Sequence, residues 1–178
     1  MIGAGSLAAV EQPYASLDQR PIKALSDADI DDYLNGRGMS LALAAELNGH
    51  PGPRHVLDLA ESLRLTVEQR RLAETLFAEM QAEAIALGER IVAEEAALDR
   101  QFAEATADAG TIADAADRIG RLGGALRAVH LRTHVSMRAA LTAGQLAAYD
   151  RLRGYGPPTG GEPGNAGQTG HGDHGGHN

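Results

Sequence analysis

Cysteine and tryptophan are both absent from this chain of 178 residues. Without cysteine there are no disulfides, no thiolate metal sites and no thiol nucleophile, and the redox compartment stays open. Aromatic residues make up 3% of the chain, which argues against a thick globular core or a β-sandwich. A basic surplus is missing too. The formal charge is −8, and residues 54–153 hold 13 basic against 15 acidic side chains. No basic face emerges, so nucleic acid is not an expected partner. No run approaches the ~20 apolar residues of a membrane span.

The signatures of catalysis are missing as well. There is no glycine-rich phosphate loop, no serine in a nucleophile-elbow string and no His-Glu-x-x-His. The Glu-x-x-His pairs of a di-iron bundle do not occur either. The chain reads as a non-enzyme that requires no cofactor.

What is present is alanine, glutamate and two near-identical strings, Leu65-Thr66-Val67-Glu68-Gln69 and Leu141-Thr142-Ala143-Gly144-Gln145. Each reads as a helix start. The threonine hydroxyl can accept from the amide three residues on, and the glutamine there can reach back to the cap amide. Leu146 can close a hydrophobic staple on Leu141; in the first copy Arg70 holds that place.

Taken in order, residues 1–25 read as a flexible arm, with Pro13 and Pro21 opposing helix. Met1 to Val10 is either the stump of a trimmed export signal or an unstructured start. Residues 26–52 hold two short helices and a break. Ser26 with Asp27 and Asp29 starts the first, Asn35-Gly36 stops it, residues 39–47 form the second, and His50-Pro51-Gly52-Pro53 ends the segment. Residues 53–153 form the main domain. A helix over 53–63 turns Val56, Leu59, Ala60 and Leu63 to one side. A long helix follows from Val67 to about Ala105, with Leu72, Leu76, Met80, Ala84, Leu87, Ile91, Leu98 and Phe102 nearly all at steps of three or four. Thr106 to Gly110 turns the chain. A second long helix from near Thr111 repeats the pattern, and a short one ends before Gly154. Residues 154–178 read as a disordered Gly/His-rich tail.

The spacing predicts an all-α fold: a long antiparallel hairpin with short flanking helices. At ~1.5 Å per residue each arm is about 50–60 Å long. Such a hairpin cannot bury its apolar stripe alone, so a homodimer is expected. A turn centred near residue 109 sets Gly88 opposite His130, Ala84 opposite His134 and Met80 near Met137. Gly120, Gly123 and Gly124 are read as tolerated weak spots, each costing ~1 kcal/mol relative to alanine; close helix approach is the other reading.

His130, His134 and Met137 fall at i, i+4 and i+7 on one side of the second long helix. Two imidazoles one turn apart can clamp Zn²⁺, Ni²⁺ or Cu²⁺, and a thioether biases the set toward copper. Glu79 and Glu83 are candidate oxygen ligands across the hairpin. The competing reading is amphipathic packing. In the tail, His171, Asp173, His174 and His177 form a His-rich tract suited to loose capture of late transition metals. His50 is read as a loop residue and His55 as solvent-facing or packed.

Two Leu-Thr-x-x-Gln strings around a helical hairpin resemble the LTXXQ-motif family, the Spy/CpxP group with its ZraP- and CnrX-type metal-responsive members. The stretch from Met137-Arg138-Ala139-Ala140-Leu141-Thr142 through Ala148-Tyr149-Asp150-Arg151 is similar to the end of the CnrX-type domain. The resemblance covers residues 53–153. It implies a periplasmic, intertwined homodimer without enzymatic activity. Such a protein acts as an ATP-independent chaperone for unfolded envelope proteins, a stress-response partner of a membrane-anchored sensor, or a heavy-metal sensor or buffer. Two features depart from it: the near-neutral core lacks the basic face of Spy-like members, and Val56, Ala60 and Phe77 stand where CnrX-type sensors carry ligands. Met137 alone matches a ligand position.

Overall fold

The computed structural model describes residues 14–155. Six α-helices follow in order: α1 Asp27–Leu34, α2 Leu43–Glu46, α3 Pro53–Asp58, α4 Val67–Ala103, α5 Ala109–Ala140 and α6 Ala143–Arg153. No strand occurs among the described residues. None of their helices is long and apolar enough to cross a membrane. The residues read as the export-signal stump and most of the tail lie outside the described range.

The caps explain where the helices begin. Ser26, Thr66 and Thr142 each accept from the backbone amide three residues on, and the side chain there accepts from the cap amide in return. α5 starts earlier than Thr111 because Asp108 caps it, its carboxylate accepting from the amides of Gly110 and Thr111 at 2.8 Å each. α2 is shorter than residues 39–47, since Met39 and Ser40 take positive φ, which no helix accommodates. α3 likewise gives way to turns after Asp58, although Val56, Ala60 and Leu63 all face inward as expected.

The two Leu-Thr-x-x-Gln strings meet in space. The Gln69 amide nitrogen donates to Gln145 Oε1 at 2.9 Å, and the Gln145 nitrogen donates to Gln69 Oε1 at 2.9 Å. Each amide has a second hydrogen left over. Gln69 gives its own to the Ala140 carbonyl at 2.8 Å, at the end of α5; Gln145 gives its own to the Leu63 carbonyl at 3.3 Å, just before α4. Both oxygens also accept from their own cap amides, at 3.1 and 2.9 Å. Every donor of the pair is satisfied, which half-buried amides require. One residue type thus caps two helices and ties three chain segments together.

α4 and α5 lie against each other along their length. Glu94 pairs with Arg118 at 2.9 Å, Glu83 pairs with Arg132, and Gln69 reaches Ala140, so positions advance along one helix as they retreat along the other. The seam between them buries Ala84, Ile91, Leu122 and Leu126. Its cover comes from the chain itself: Tyr33, Leu41 and Leu87 pack on it. Gly88 makes this approach feasible, because a Cβ there would strike the Tyr33 carbonyl. Gly88 therefore faces α1, where the expected register set it against His130. By contrast, a Cβ on Gly120, Gly123 or Gly124 meets nothing within 4 Å, as the weak-spot reading requires. Leu72 and Phe102, assigned to the inward stripe, are exposed, and Ala73 takes the inward place.

A second apolar cluster sits at the capped end, where Val56, Leu63, Ala73, Met137, Leu141 and Tyr149 are buried together. Residues 14–25, expected to form part of a flexible arm, run in turns and dock on α4. Ile22 and Leu25 are buried, and the Lys23 amide donates to Asp99 at 3.0 Å.

The glutamine pair carries a direct test. Glutamate at position 69 keeps the capping box, because it still accepts from Thr66, but it cannot donate to Gln145 or Ala140. Gln69→Glu is expected to lower stability by about 1–3 kcal/mol in urea unfolding at pH 7. A change within about 0.3 kcal/mol would show that the pair holds nothing together.

Candidate functional site

Glu46, at the end of α2, is a charged side chain only 5% exposed. Its Oε2 accepts from the Gly52 amide at 3.1 Å. Its Oε1 lies 3.3 Å from His55 Nδ1 and accepts from the hydroxyls of Tyr149 and, at 3.2 Å, Tyr155. Arg153 adds its charge at 3.8 Å. Burial alone would push this carboxyl up. The hydrogen bonds from His55, Tyr149 and the Gly52 amide outweigh it and hold Glu46 at about 2. Tyr149 responds in the opposite sense: burial and the neighbouring Glu46 carboxylate push its phenol well above its ordinary range. The result is a loop over residues 46–55 fastened to the end of α6.

That loop roofs one stretch of α5. His134 Nδ1 lies 2.7 Å from the His50 carbonyl. A carbonyl can only accept, so Nδ1 carries a proton, and in the neutral ring Nε2 is the lone pair. Glu46 Oε2 is also near Nδ1, at 3.7 Å, but that is too long to compete for the hydrogen. The far edge of the ring faces Gly52, where a Cβ would sit 2.9 Å from Nε2; any larger residue would crowd the imidazole. His130, one turn earlier, is 2% exposed, and its Nε2 is buried with no hydrogen-bond partner. Burial, and then the His134 ring beside it, lower its pKa. A neutral, unpartnered imidazole nitrogen inside a protein calls for an explanation.

Both rings line a cavity of about 410 Å³ between the loop and the long helices, walled also by Pro53, Phe77 and Met80. Arg54 lies over the Phe77 ring, 5.8 Å from its centre. A second cavity, of about 280 Å³, opens on the other side of the same histidines toward Glu46 and Tyr155. Lone-pair nitrogens in a largely apolar cleft can accept a hydrogen bond or bind a Lewis-acidic cation.

The candidate residues from the sequence are therefore split. His130 and His134 come together in the cleft. Met137 follows them on the same helix but is fully buried in the apolar cluster with Val56 and Tyr149, because α3 and α6 cover that turn. Glu79 and Glu83 line a separate cavity with Arg132. Among the described residues no three His, Asp or Glu side chains converge as a metal cage. His171, Asp173, His174 and His177 lie outside the described range. Glu46, Gly52 and Met80 had no local signal as site residues, since Glu46 reads as one acid on a short helix and its phenol partner is 103 residues away. No family model, curated protein or solved structure matches the chain.

The buried carboxylate makes stability depend on acid. Glu46 titrates at about 2 in the folded chain against an ordinary value of 4.5, so the unfolded chain takes up the proton first. Its contribution is present above pH 4.5 and is lost as pH falls toward 2, up to about 3 kcal/mol. Unfolding free energies of the parent chain and Glu46→Gln, measured between pH 6 and 3, are expected to converge as pH falls. Parallel curves would contradict the assignment.

Proposed function

We propose that this chain is a non-enzymatic binding protein of the periplasmic Spy/CpxP kind whose histidine cleft takes a metal ion. The observation that carries the reading is the buried, unpartnered Nε2 of His130 beside the free Nε2 of His134. Imidazole nitrogens one helical turn apart suit Zn²⁺, Ni²⁺ or Cu²⁺. The tail residues His171, Asp173, His174 and His177 serve in this proposal as a loose capture segment. The paired Leu-Thr-x-x-Gln strings, with the absence of nucleotide-binding motifs, support the link to ATP-independent envelope proteins.

Client holding is the activity expected of such a protein. Exposed apolar side chains along the two long helices favour it: Val67, Phe102 and Val135 are each more than half exposed. They offer contacts to an unfolded envelope protein, and the Phe102 end of the hairpin offers them to a second copy in a homodimer. The second reading is a heavy-metal sensor or buffer of the CnrX/ZraP type, coupled to a membrane-anchored partner. The loop carrying His50, Gly52 and His55 favours it, because occupancy of the cleft bears on how that loop sits.

The test uses the full chain with His171, His174 and His177 changed to Gln, so that the tail is silent. Calorimetric titration with Zn²⁺, Ni²⁺ and Cu²⁺ is expected to reveal one site that His130→Ala/His134→Ala removes. No heat with any of the three, nor with Ag⁺, would end the metal reading. Suppression of client aggregation at near-stoichiometric ratios is expected alongside; its absence would end the chaperone reading and leave the sensor.

A further inference from the structure

We infer that the cleft selects a soft monovalent cation, Cu⁺ in the cell and Ag⁺ as its redox-inert stand-in, held by His130 Nε2, His134 Nε2 and the thioether of Met80. The inference rests on the metal-binding reading above and narrows it. Three observations lead there. The first is the donor set. Neither Nε2 is taken up by a protein partner: His134 donates its Nδ1–H to the His50 carbonyl at 2.7 Å, which leaves Nε2 of the neutral ring as the lone pair a metal requires, and the His130 Nε2 is buried without a partner.

The second observation is what the cleft does not supply. Among the described residues no third His, Asp or Glu joins the pair in a metal cage; His55 lines the same cavity, but its Nδ1 lies 3.3 Å from Glu46 Oε1. The nearest buried carboxylate, Glu46, is already taken up by Tyr149, His55 and the Gly52 amide. Structural Zn²⁺ sites take four donors, and divalent ions gain from a charged oxygen or sulfur ligand. The d¹⁰ ions Cu⁺ and Ag⁺ are stable with two or three soft ligands, and thioethers favour them. The charge balance points the same way. Arg37 is paired with Asp31 and Asp32, and Arg54 with Asp58 at 3.2 Å. No carboxylate lines the cavity to offset a buried double charge, whose desolvation cost exceeds that of a single one.

The third observation is the sulfur. Met137 is fully buried in the α3–α6 cluster, while Met80, from α4, lines the same cavity as both histidines. It is 9% exposed, so its side chain is already out of water. Phe77 and Pro53 complete an apolar wall, a setting that keeps competing water from a soft ion.

The experiment titrates AgNO₃ and, separately, Zn²⁺ into the full chain with the three tail histidines changed to Gln, in chloride-free buffer. Calorimetry is paired with NMR of the methionine methyls and imidazole nitrogens. One Ag⁺ is expected to bind per chain, shifting the Met80 methyl and both Nε2 signals and leaving the Met137 methyl in place. Met80→Leu is expected to weaken Ag⁺ binding by about tenfold or more, and Met137→Leu to leave it unchanged. Should Met80→Leu misfold, the methyl shifts of the unsubstituted chain decide. A Zn²⁺ affinity above that of Ag⁺, or an unmoved Met80 methyl, would overturn the soft-ion inference while the metal reading stood. No binding of Ag⁺ would overturn the soft-ion inference, and no binding of Ag⁺, Zn²⁺, Ni²⁺ or Cu²⁺ would bring down both.

Discussion

A single buried carboxylate fixes the geometry on which the histidine cleft depends. Glu46 accepts from the Gly52 amide, from His55 and from two tyrosines that close α6. A buried charge left unpaired costs several kcal/mol, whereas one with this many donors is held in place by them. The loop it fastens carries the His50 carbonyl that sets the His134 tautomer, and the Gly52 backbone that lies against the His134 ring. Removing the carboxylate would therefore release the roof first and the α5 face beneath it second.

The glutamine pair acts at the same end by different means. Gln69 and Gln145 hold the starts of α4 and α6 and the end of α5 in one hydrogen-bonded patch. The apolar cluster around Val56, Met137 and Tyr149 fills the space between that patch and Glu46. Farther along, the seam of Ile91, Leu122 and Leu126 is sheltered by α1, which comes close only because position 88 has no side chain. The N-terminal segment thus covers the seam along α4 and, through its loop, the His134 turn of α5.

What could be read from the sequence was what depends on neighbours three or four residues apart. The Thr66 and Thr142 capping boxes, the stop at Gly154 and the inward set Val56, Ala60 and Leu63 all have local causes. The i, i+4 pairing of His130 and His134 was legible for the same reason. The register was not, because a turn position says nothing of a third layer: α1 occupies the Gly88 face that a two-helix hairpin would give to His130. Met137 shares its stripe with the histidines, yet another part of the chain roofs it, and periodicity cannot say which segment lies overhead. Glu46 was illegible because its meaning lies in partners 6, 9 and 103 residues away.

The claim beneath the rest is that two imidazoles lie under this roof whose Nε2 atoms no protein group takes up: His134, with its Nδ1–H on the His50 carbonyl, and His130, with its Nε2 buried and unpartnered. Long-range ¹H–¹⁵N correlation spectra of the imidazoles at pH 7.5, without added metal, address it directly. His134 is expected as the Nδ1–H form, with an unprotonated Nε2, and His130 as a neutral ring. A His134 protonated at Nε2, or either ring found as imidazolium at that pH, would contradict it.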